Sequence, residues 1–159
     1  MLETRGRITI DPQGDVLVIQ GAIDESARLS DLLERALGRR LVLDLGGITF
    51  INSLGVRDWI RMQAAAQRAG ITLELRRVAE PLIHQLNMII ATRGAARVVS
   101  FFAPYACDTC GREDSLLVDA ISNARGLAQL EPPAMACAEC GASMEFNDFP
   151  ERYFSFLSV

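Results

Sequence analysis

The sequence predicts an α/β fold, in which a mixed β-sheet is flanked by helices and followed by a small cysteine-rich module. Three observations lead to this prediction. Short apolar runs alternate with segments of helical periodicity over roughly the first hundred residues. An apolar strand at 41–45 leads through a loop into a long helical pattern at 54–69. Two Cys-x-x-Cys-Gly segments lie in the last third of the chain.

Each element follows from the spacing of apolar residues and from the turn residues between them. Strands are predicted at 7–10, 16–20, 41–45, 71–75 and 98–102. Helices are predicted at 29–37, at 54–69 and from Pro81 onward. Gly46-Gly47 is expected to end the third strand, and Gly38 and Gly70 to end the first two helices. The alternation of strands and helices indicates a sheet with helices packed on it.

The loop before the long helix places Asn52 and Ser53 at the helix N-terminus. There the first backbone N–H groups lack partners and the helix dipole favours negative charge. A serine in this position commonly serves as a cap, which is one interpretation of Ser53. The other interpretation is a phosphorylation site, whose added charge of about −1.5 to −2 the helix terminus would tolerate.

The segment from Asp44-Leu45 to Asn52-Ser53-Leu54-Gly55-Val56 resembles the signature of STAS domains, the family of anti-sigma-factor antagonists. In that family a strand ending in Asp-Leu leads to Asp-Ser-Ser-Gly-Leu or Asp-Ser-Ala-Gly-Leu at a helix start. The resemblance spans roughly residues 6–102. Two positions depart from it: Asn52 replaces the usual Asp, and Leu54 replaces Ser, Ala or Thr.

The resemblance implies a binding surface at this loop. Ser53 takes the position of the family's phosphorylated serine, and Asp24 that of an aspartate near the loop; an ordinary cap of the next helix is the alternative for Asp24. The implied partner is an anti-sigma factor or a serine-kinase-type regulator. The residues expected to contact it are Asp24, Asn52, Ser53, Leu54, Gly55, Val56 and Trp59, with a place in the core as the other interpretation of Trp59.

The cysteines predict a metal site. Cys107 and Cys110 form one Cys-x-x-Cys-Gly knuckle, and Cys137 and Cys140 form a second after a 26-residue insert. Four thiolates with this spacing are typical of a structural zinc ribbon with no open coordination position. A redox pair, disulfides and free thiols are the alternatives. We expect an STAS-like domain at 1–103 and a zinc-ribbon module at 104–159, whose aromatic tail forms a helix packed on the rest or, alternatively, an exposed face for a partner.

Composition narrows the function classes. The formal charge of −4 argues against nucleic acid as the main partner, and acidic residues predominate in the cysteine module. No apolar run approaches the roughly 20 residues of a membrane-spanning helix, and the N-terminus lacks the pattern of a secretory signal. We therefore expect a cytoplasmic protein. No nucleophile–base pair, phosphate-cradling glycine loop or carboxylate dyad is recognisable, so we expect no enzymatic activity.

The resemblance thus implies a regulatory protein-binding module in which phosphorylation of Ser53 opposes docking. One alternative is a scaffold or oligomerisation subunit without phospho-control, including a homodimer, which the departures at Asn52 and Leu54 favour. A STAS subunit of a lipid-transport complex is a second alternative, and a redox sensor is a third.

Overall fold

A computed structural model of the protein describes residues 1–157. The first sheet has six strands, ordered β1 to β6 as in the chain. Its strands are β1 (Glu3–Arg5), β2 (Ile8–Gln13), β3 (Val16–Ile23), β4 (Arg40–Ile51), β5 (Thr72–Arg76) and β6 (Arg97–Val98). The first three strands pair antiparallel and the last three join in parallel, so the sheet is mixed. The predicted fold class is confirmed.

Helices α1 (Ser53–Arg68) and α2 (Glu80–Met88) pack against this sheet. α1 buries one face and ends as predicted: Gly70 adopts a left-handed φ of +69°, and the N–H of Ile71 donates to the carbonyl of Ala66 at 2.8 Å. This pairing satisfies a carbonyl that the helix end would otherwise leave without a partner. α2 begins next to Pro81, also as predicted.

The helix predicted at 29–37 is a 3₁₀ helix at Leu29–Arg35. Leu29 and Leu32 are buried, and Leu37 lies outside the helix and is exposed. An i, i+3 spacing places two side chains on one face of a 3₁₀ helix as it does on an α-helix, so the leucine pattern could not separate the two.

β4 is longer than predicted, because the strand continues through Gly46-Gly47 to Ile51. The pairing with β3 shifts register twice along this stretch. A Cβ on Gly47 would lie 2.6 Å from Cγ of Gln20, so glycine allows the irregular strand to pass close to its neighbour. We had expected Gly46-Gly47 to end the strand. These glycines instead lie within it, at an irregularity in its pairing.

A second sheet contains four antiparallel strands in the order β8, β7, β10, β9. They are β7 (Ser100–Ala106), β8 (Glu113–Asp119), β9 (Met135–Ala136) and β10 (Ser143–Phe146). The strand predicted at 98–102 is therefore divided between the two sheets, and the second sheet starts before the expected boundary at 103/104. Val99 connects them: its N–H donates to Leu75 and its carbonyl accepts from Ala120, each at 2.9 Å.

The aromatic tail packs against β7 and α2. Helix α3 (Ala124–Ala128) lies within the second module, and α4 (Pro150–Tyr153) begins the tail, followed by a 3₁₀ turn at Ser155–Leu157. Phe154 and Phe156 make edge-to-face contacts with Phe101, with ring centroids 6.0 and 5.1 Å away. The carbonyl of Tyr153 and the N–H of Phe156 both bond the Asn87 side chain of α2 at 2.9 Å. The predicted packed tail is confirmed, and one core joins both modules.

Candidate functional site

The predicted loop lies at one edge of the first sheet, where two parallel strands end side by side. β3 ends at Ile23 and β4 at Ile51, and the N–H of Asn52 donates to the carbonyl of Ile23 at 3.1 Å. Because α1 starts at Ser53, this hydrogen bond fixes the helix start beside the turn that begins at Asp24. The sheet topology thus brings together two segments that the sequence separates.

Asn52 caps α1. Its Oδ1 accepts from the N–H of Gly55 at 2.7 Å, and its Nδ2 donates to Glu25 at 3.3 Å. Ser53 is the first residue of the helix and is exposed. Because Asn52 already occupies the cap position, the cap interpretation does not apply to Ser53. The Ser53 hydroxyl makes no hydrogen bond within residues 1–157. The hydroxyl is therefore open to a modifying enzyme.

Gly55 allows the close contact between helix and strand. A Cβ at this position would lie 2.4 Å from the carbonyl oxygen of Ile23, closer than side-chain atoms pack against backbone. Val56 and Trp59 are also buried, and the indole N–H of Trp59 donates to the carbonyl of Thr92 at 2.8 Å. These three residues therefore support the loop from inside and offer no contact surface, which corrects our expectation that a partner touches them.

The surface that a partner could reach has apolar and acidic parts. Phe50 and Leu54 flank Ser53 along the chain and are 53% and 47% exposed. Asp24 accepts from the hydroxyl of Ser26 and, at 2.9 Å, from its N–H; these bonds hold the pKa of Asp24 below its ordinary value, so the carboxylate is charged at neutral pH. We call Asp24, Phe50, Asn52, Ser53 and Leu54 the docking surface.

Phe50 was missing from the sequence-based set. The signal for it is the alternation of side chains along a strand, which turns Phe50 and its neighbour Ile51 to opposite faces. Ile51 is buried, so Phe50 is exposed. The strand predicted at 41–45 stopped short of these residues, and this alternation could not be read from it.

The four cysteines form the second candidate site. In each knuckle the glycine N–H donates back to the first cysteine carbonyl at 2.8 Å, Gly111 to Cys107 and Gly141 to Cys137. The glycines adopt φ values of +78° and +77°, which side chains rarely tolerate. β10 pairs with β7 next to the first knuckle and so brings the two knuckles together.

The sulfur geometry fits a tetrahedral metal ion. All four Sγ atoms lie within 4.8 Å of one another. The distances are 3.5 Å from Cys107 to Cys140 and 3.6 Å from Cys110 to Cys137. Four sulfurs around zinc would lie about 3.8 Å apart, given a Zn–S distance of about 2.3 Å. A disulfide requires about 2.05 Å, so the arrangement matches shared coordination better than sulfur–sulfur bonds.

Backbone N–H groups favour the thiolate form of the first cysteine in each knuckle, and the pKa of the second cysteine is raised in both. The N–H of Cys110 lowers the pKa of Cys107 to about 7, and the N–H of Cys140 lowers that of Cys137. The N–H of Arg112 acts in the same direction on Cys110, but desolvation and the neighbouring thiols outweigh it and raise that pKa to about 12. Adjacent sulfurs cannot all ionise without a cation between them, and a metal ion supplies that charge.

Comparison with known proteins identifies the first module. The family model described as Mlab, STAS domain, matches residues 7–94. The chain belongs to the STAS-domain family. No curated protein matches the chain significantly. The match begins after β1 and ends before β6, so it covers β2 to β5 of the first sheet together with α1 and α2.

The family match includes the loop before α1 and leaves the candidate metal site outside it. The STAS family includes anti-sigma-factor antagonists, and its members are generally binding modules and not enzymes. The cysteines begin after the end of the match, in the second sheet. Among the described helices, none is both long and apolar enough to cross a membrane.

Proposed function

We propose that this STAS protein is a regulatory module that binds an anti-sigma factor or a serine-kinase-type regulator through the docking surface, and that phosphorylation of Ser53 opposes this binding. The observation that carries the proposal is the exposed, unbonded hydroxyl of Ser53 at the centre of a surface with two exposed apolar side chains. Exposed apolar groups beside a modifiable hydroxyl are suited to an interface that a charge can disrupt.

The electrostatics of the loop give the switch its direction. A phosphate on Ser53 would carry about −1.5 to −2 charges next to the N-terminus of a 16-residue helix, which stabilises it. Arg57, exposed one helical turn further, supports the same charge. The isolated protein therefore accepts the phosphate. A partner that packs on Phe50 and Leu54 would have to remove water from this phosphate next to the negative charge of Asp24. The free-energy cost of doing so disfavours the complex.

The second half of the proposal concerns the cysteines. We assign the metal as zinc with a structural role, because four thiolates provide a complete tetrahedral shell and leave no site for substrate. Cys107 follows β7 and enters a turn, whereas a redox pair of the thioredoxin type would lie at a helix start. The zinc holds the second module in shape and does not take part in the switch.

A capture experiment with matched variants tests the switch. The immobilised full-length chain is exposed to lysate of the source organism, and bound proteins are identified by mass spectrometry. Wild type and Ser53→Ala should capture a kinase or anti-sigma factor, and Ser53→Asp should capture at least tenfold less. Ser143→Asp, which adds the same charge at an exposed serine of the second sheet, should capture as wild type does. Equal capture by Ser53→Asp and Ser53→Ala would remove the switch.

One observation favours a second function, that of a scaffold without phospho-control. Asn52 caps α1 without the charge that the family's aspartate brings, and Leu54 adds a large apolar group where the family has a small residue. Both features suit a permanent interface better than a reversible one. Phosphopeptide mass spectrometry of the protein from its host separates the two functions, because a scaffold would carry no phosphate at Ser53 under any growth condition.

A further inference from the structure

The outward side of α1 is basic. At 3.6 residues per turn, five exposed residues of this helix fall within an arc of about 80°: Ser53, Arg57, Arg61, Ala64 and Arg68. The buried residues of α1 lie on the opposite side of the helix. No acidic residue falls within the exposed arc. We call Arg57, Arg61 and Arg68 the basic face.

The arginines of the basic face have no carboxylate partner within residues 1–157. The one acidic residue of α1 is Asp58, whose carboxylate accepts from the N–H of Leu29 at 2.8 Å and so faces the 3₁₀ helix. In the first sheet, by contrast, Arg40 and Arg76 both pair with Glu74, at 3.0 and 2.9 Å. The guanidinium groups of the basic face therefore keep their charge and their donors for another molecule.

The basic face adjoins the docking surface, because Ser53 and Leu54 lie on the same side of α1. With a rise of 1.5 Å per residue, Arg57 lies roughly 6 Å beyond Ser53 along the helix axis, and Arg68 roughly 22 Å beyond it. Leu54 is 47% exposed. A partner that packs on Leu54 and extends along α1 would meet the first guanidinium group about one helical turn further on.

We propose that the partner of the docking surface has an acidic face, which binds the basic face of α1. This inference rests on the proposed function and describes the partner of that function by its charge. Three positive charges on one side of a helix attract carboxylates over a distance and set the orientation in which the partner approaches. The basic face then determines mainly how fast the complex forms, and the apolar contacts at Phe50 and Leu54 slow its dissociation.

The charge distribution of the chain favours an acidic protein over nucleic acid. The formal charge is −4, and residues 107–159 contain nine acidic and three basic residues. A DNA or RNA molecule that reaches beyond α1 would be repelled by them. A second copy of the chain could offer these acidic residues to the basic face. That contact would be heterologous and would continue into open chains of molecules, which do not suit a reversible switch.

A phosphate on Ser53 would act on the near end of the basic face. Arg57 follows Ser53 by four residues, the spacing at which opposite charges pair on a helix. At an ionic strength of 0.1 M the Debye length is about 10 Å, so the phosphate reaches Arg57 and scarcely affects Arg68. Phosphorylation would therefore occupy one guanidinium group that the partner uses and would repel the carboxylates that approach it.

A titration followed by amide NMR tests the basic face in the zinc-loaded, full-length chain. The probe is a helical peptide of about 20 residues with glutamate at every fourth position, and the same peptide with glutamine is its control. In about 0.1 M salt the glutamate peptide should shift the signals of residues 57–68 about tenfold more than the glutamine peptide does. Equal shifts with the two peptides would overturn the proposal.

Matched variants locate the response. Arg57→Gln combined with Arg61→Gln should lose the shifts. Arg97→Gln combined with Arg125→Gln, which removes the same charge at exposed arginines of β6 and α3, should keep them. Ser53→Asp should reduce the shift at Arg57 and leave that at Arg68. Loss of the shifts in the second pair of substitutions as well would mean that net charge alone attracts the peptide, which contradicts the proposal.

Two further measurements examine the other occupants. A DNA duplex of about 20 base pairs that binds residues 57–68 more tightly than the glutamate peptide would assign the basic face to phosphates. Salt-sensitive self-association in sedimentation, abolished by Arg57→Gln combined with Arg61→Gln, would assign the basic face to a second copy. Either result would overturn the proposal.

The captured partner separates this inference from the proposed function. In surface plasmon resonance, Arg57→Gln combined with Arg61→Gln should lower the association rate constant about tenfold and weaken its dependence on salt. An unchanged association rate, with binding still lost in Ser53→Asp, would overturn the inference and leave the proposed function intact. If the wild-type chain captures no kinase and no anti-sigma factor, the proposed function itself fails, and the inference fails with it.

Discussion

The docking surface rests on a filled apolar core, whereas the four cysteines lie in a part of the chain that buries few side chains. Beneath Ser53, α1 alone buries six residues along its 16. From residue 107 to residue 149 there are also six buried hydrophobic residues, and two of them are cysteines of the candidate metal site: Cys107, Val118, Ala120, Leu127, Cys137 and Met144. Apolar packing holds the shape of the first site, and we expect a bound ion to hold the shape of the second.

This contrast matters for function because the two sites share one core. The Asn87 side chain of α2 holds the tail, and Phe102 N–H donates to the carbonyl of Val78 at 2.9 Å, so the second sheet is bonded to the STAS part next to α2. The cysteine-containing end of the second sheet is therefore attached to the STAS part next to α2. Two properties can therefore be measured: how far unfolding extends when the metal is removed, and how rigid the docking surface is.

The largest expected effect is that of metal removal. The purified protein should contain one zinc per chain, and a chelator should abolish amide hydrogen-exchange protection at residues 107–149 while β2 to α2 keep theirs. Zinc contributes about 10–16 kcal/mol of apparent binding free energy in small structural sites, and this segment of the chain has only six buried hydrophobic residues. Mass-spectrometric hydrogen exchange and metal analysis make the measurement.

The variant Cys137→Ser should reproduce the effect of the chelator, and Thr109→Ser within the first knuckle should not. Retained protection at 107–149 in metal-free protein would show that the module folds without the ion. Lost protection throughout the STAS part would show that the shared core makes the two modules one cooperative unit.

The sequence could predict the sites because each depends on a short local pattern. Asn52-Ser53 at a change of hydrophobic period and the paired Cys-x-x-Cys-Gly segments need only neighbouring residues to be recognised. The continuation of β4 to Ile51, by contrast, depends on pairing with β3 through an irregular register. Such pairing involves residues far apart in the chain. Read locally, Gly46-Gly47 indicates a turn, but in the folded protein the pairing with β3 overrides this local preference.

The division of the strand at 98–102 has the same cause. Val98 belongs to one sheet and Phe101 to the other, and only one polar residue, Ser100, interrupts the apolar run between them, as single polar residues also do within other strands. The role of Asn87 was equally hidden, since its partners lie at the far end of the chain. The apolar pattern predicts where strands form, but which sheet a strand joins is decided by partners that one segment does not contain.

Gly55→Ala should have the next largest effect, because it tests how rigid the docking surface is. The added Cβ would meet the Ile23 carbonyl at 2.4 Å, and we expect a loss of about 3 kcal/mol in the free energy of unfolding, at the upper end of the overpacking range. Gly14→Ala is a control for backbone strain alone, since a Cβ there has no atom within 4 Å but the φ of +65° disfavours alanine, and it should cost about 1 kcal/mol. Denaturant unfolding measures both. A cost no larger than that of the control would mean that α1 moves away easily and that the surface is not rigid.

Asn87→Ala should cost about 2 kcal/mol, because it leaves the carbonyl of Tyr153 and the N–H of Phe156 without partners in a partly buried site. Asn123→Ala removes an exposed asparagine hydrogen bond to Asp119 and should cost much less. Thermal unfolding of the zinc-loaded variants measures the difference. Equal costs would mean that aromatic packing alone attaches the tail, and the link between the modules would then lie in β7.

The smallest effect is expected at Ser53 itself. Ser53→Asp places a carboxylate in the first turn of α1, and the helix dipole should stabilise the free protein by about 0.3–1 kcal/mol at low ionic strength. Ser53→Asn, of similar size and uncharged, should show no such gain, and added salt should remove the gain of Ser53→Asp. Together with weaker partner capture, a small gain in stability would mean that the charge acts on the interface and not by unfolding the loop. A loss of stability in Ser53→Asp would contradict this, because reduced capture would then follow from damage to α1 and would say nothing about a phosphate.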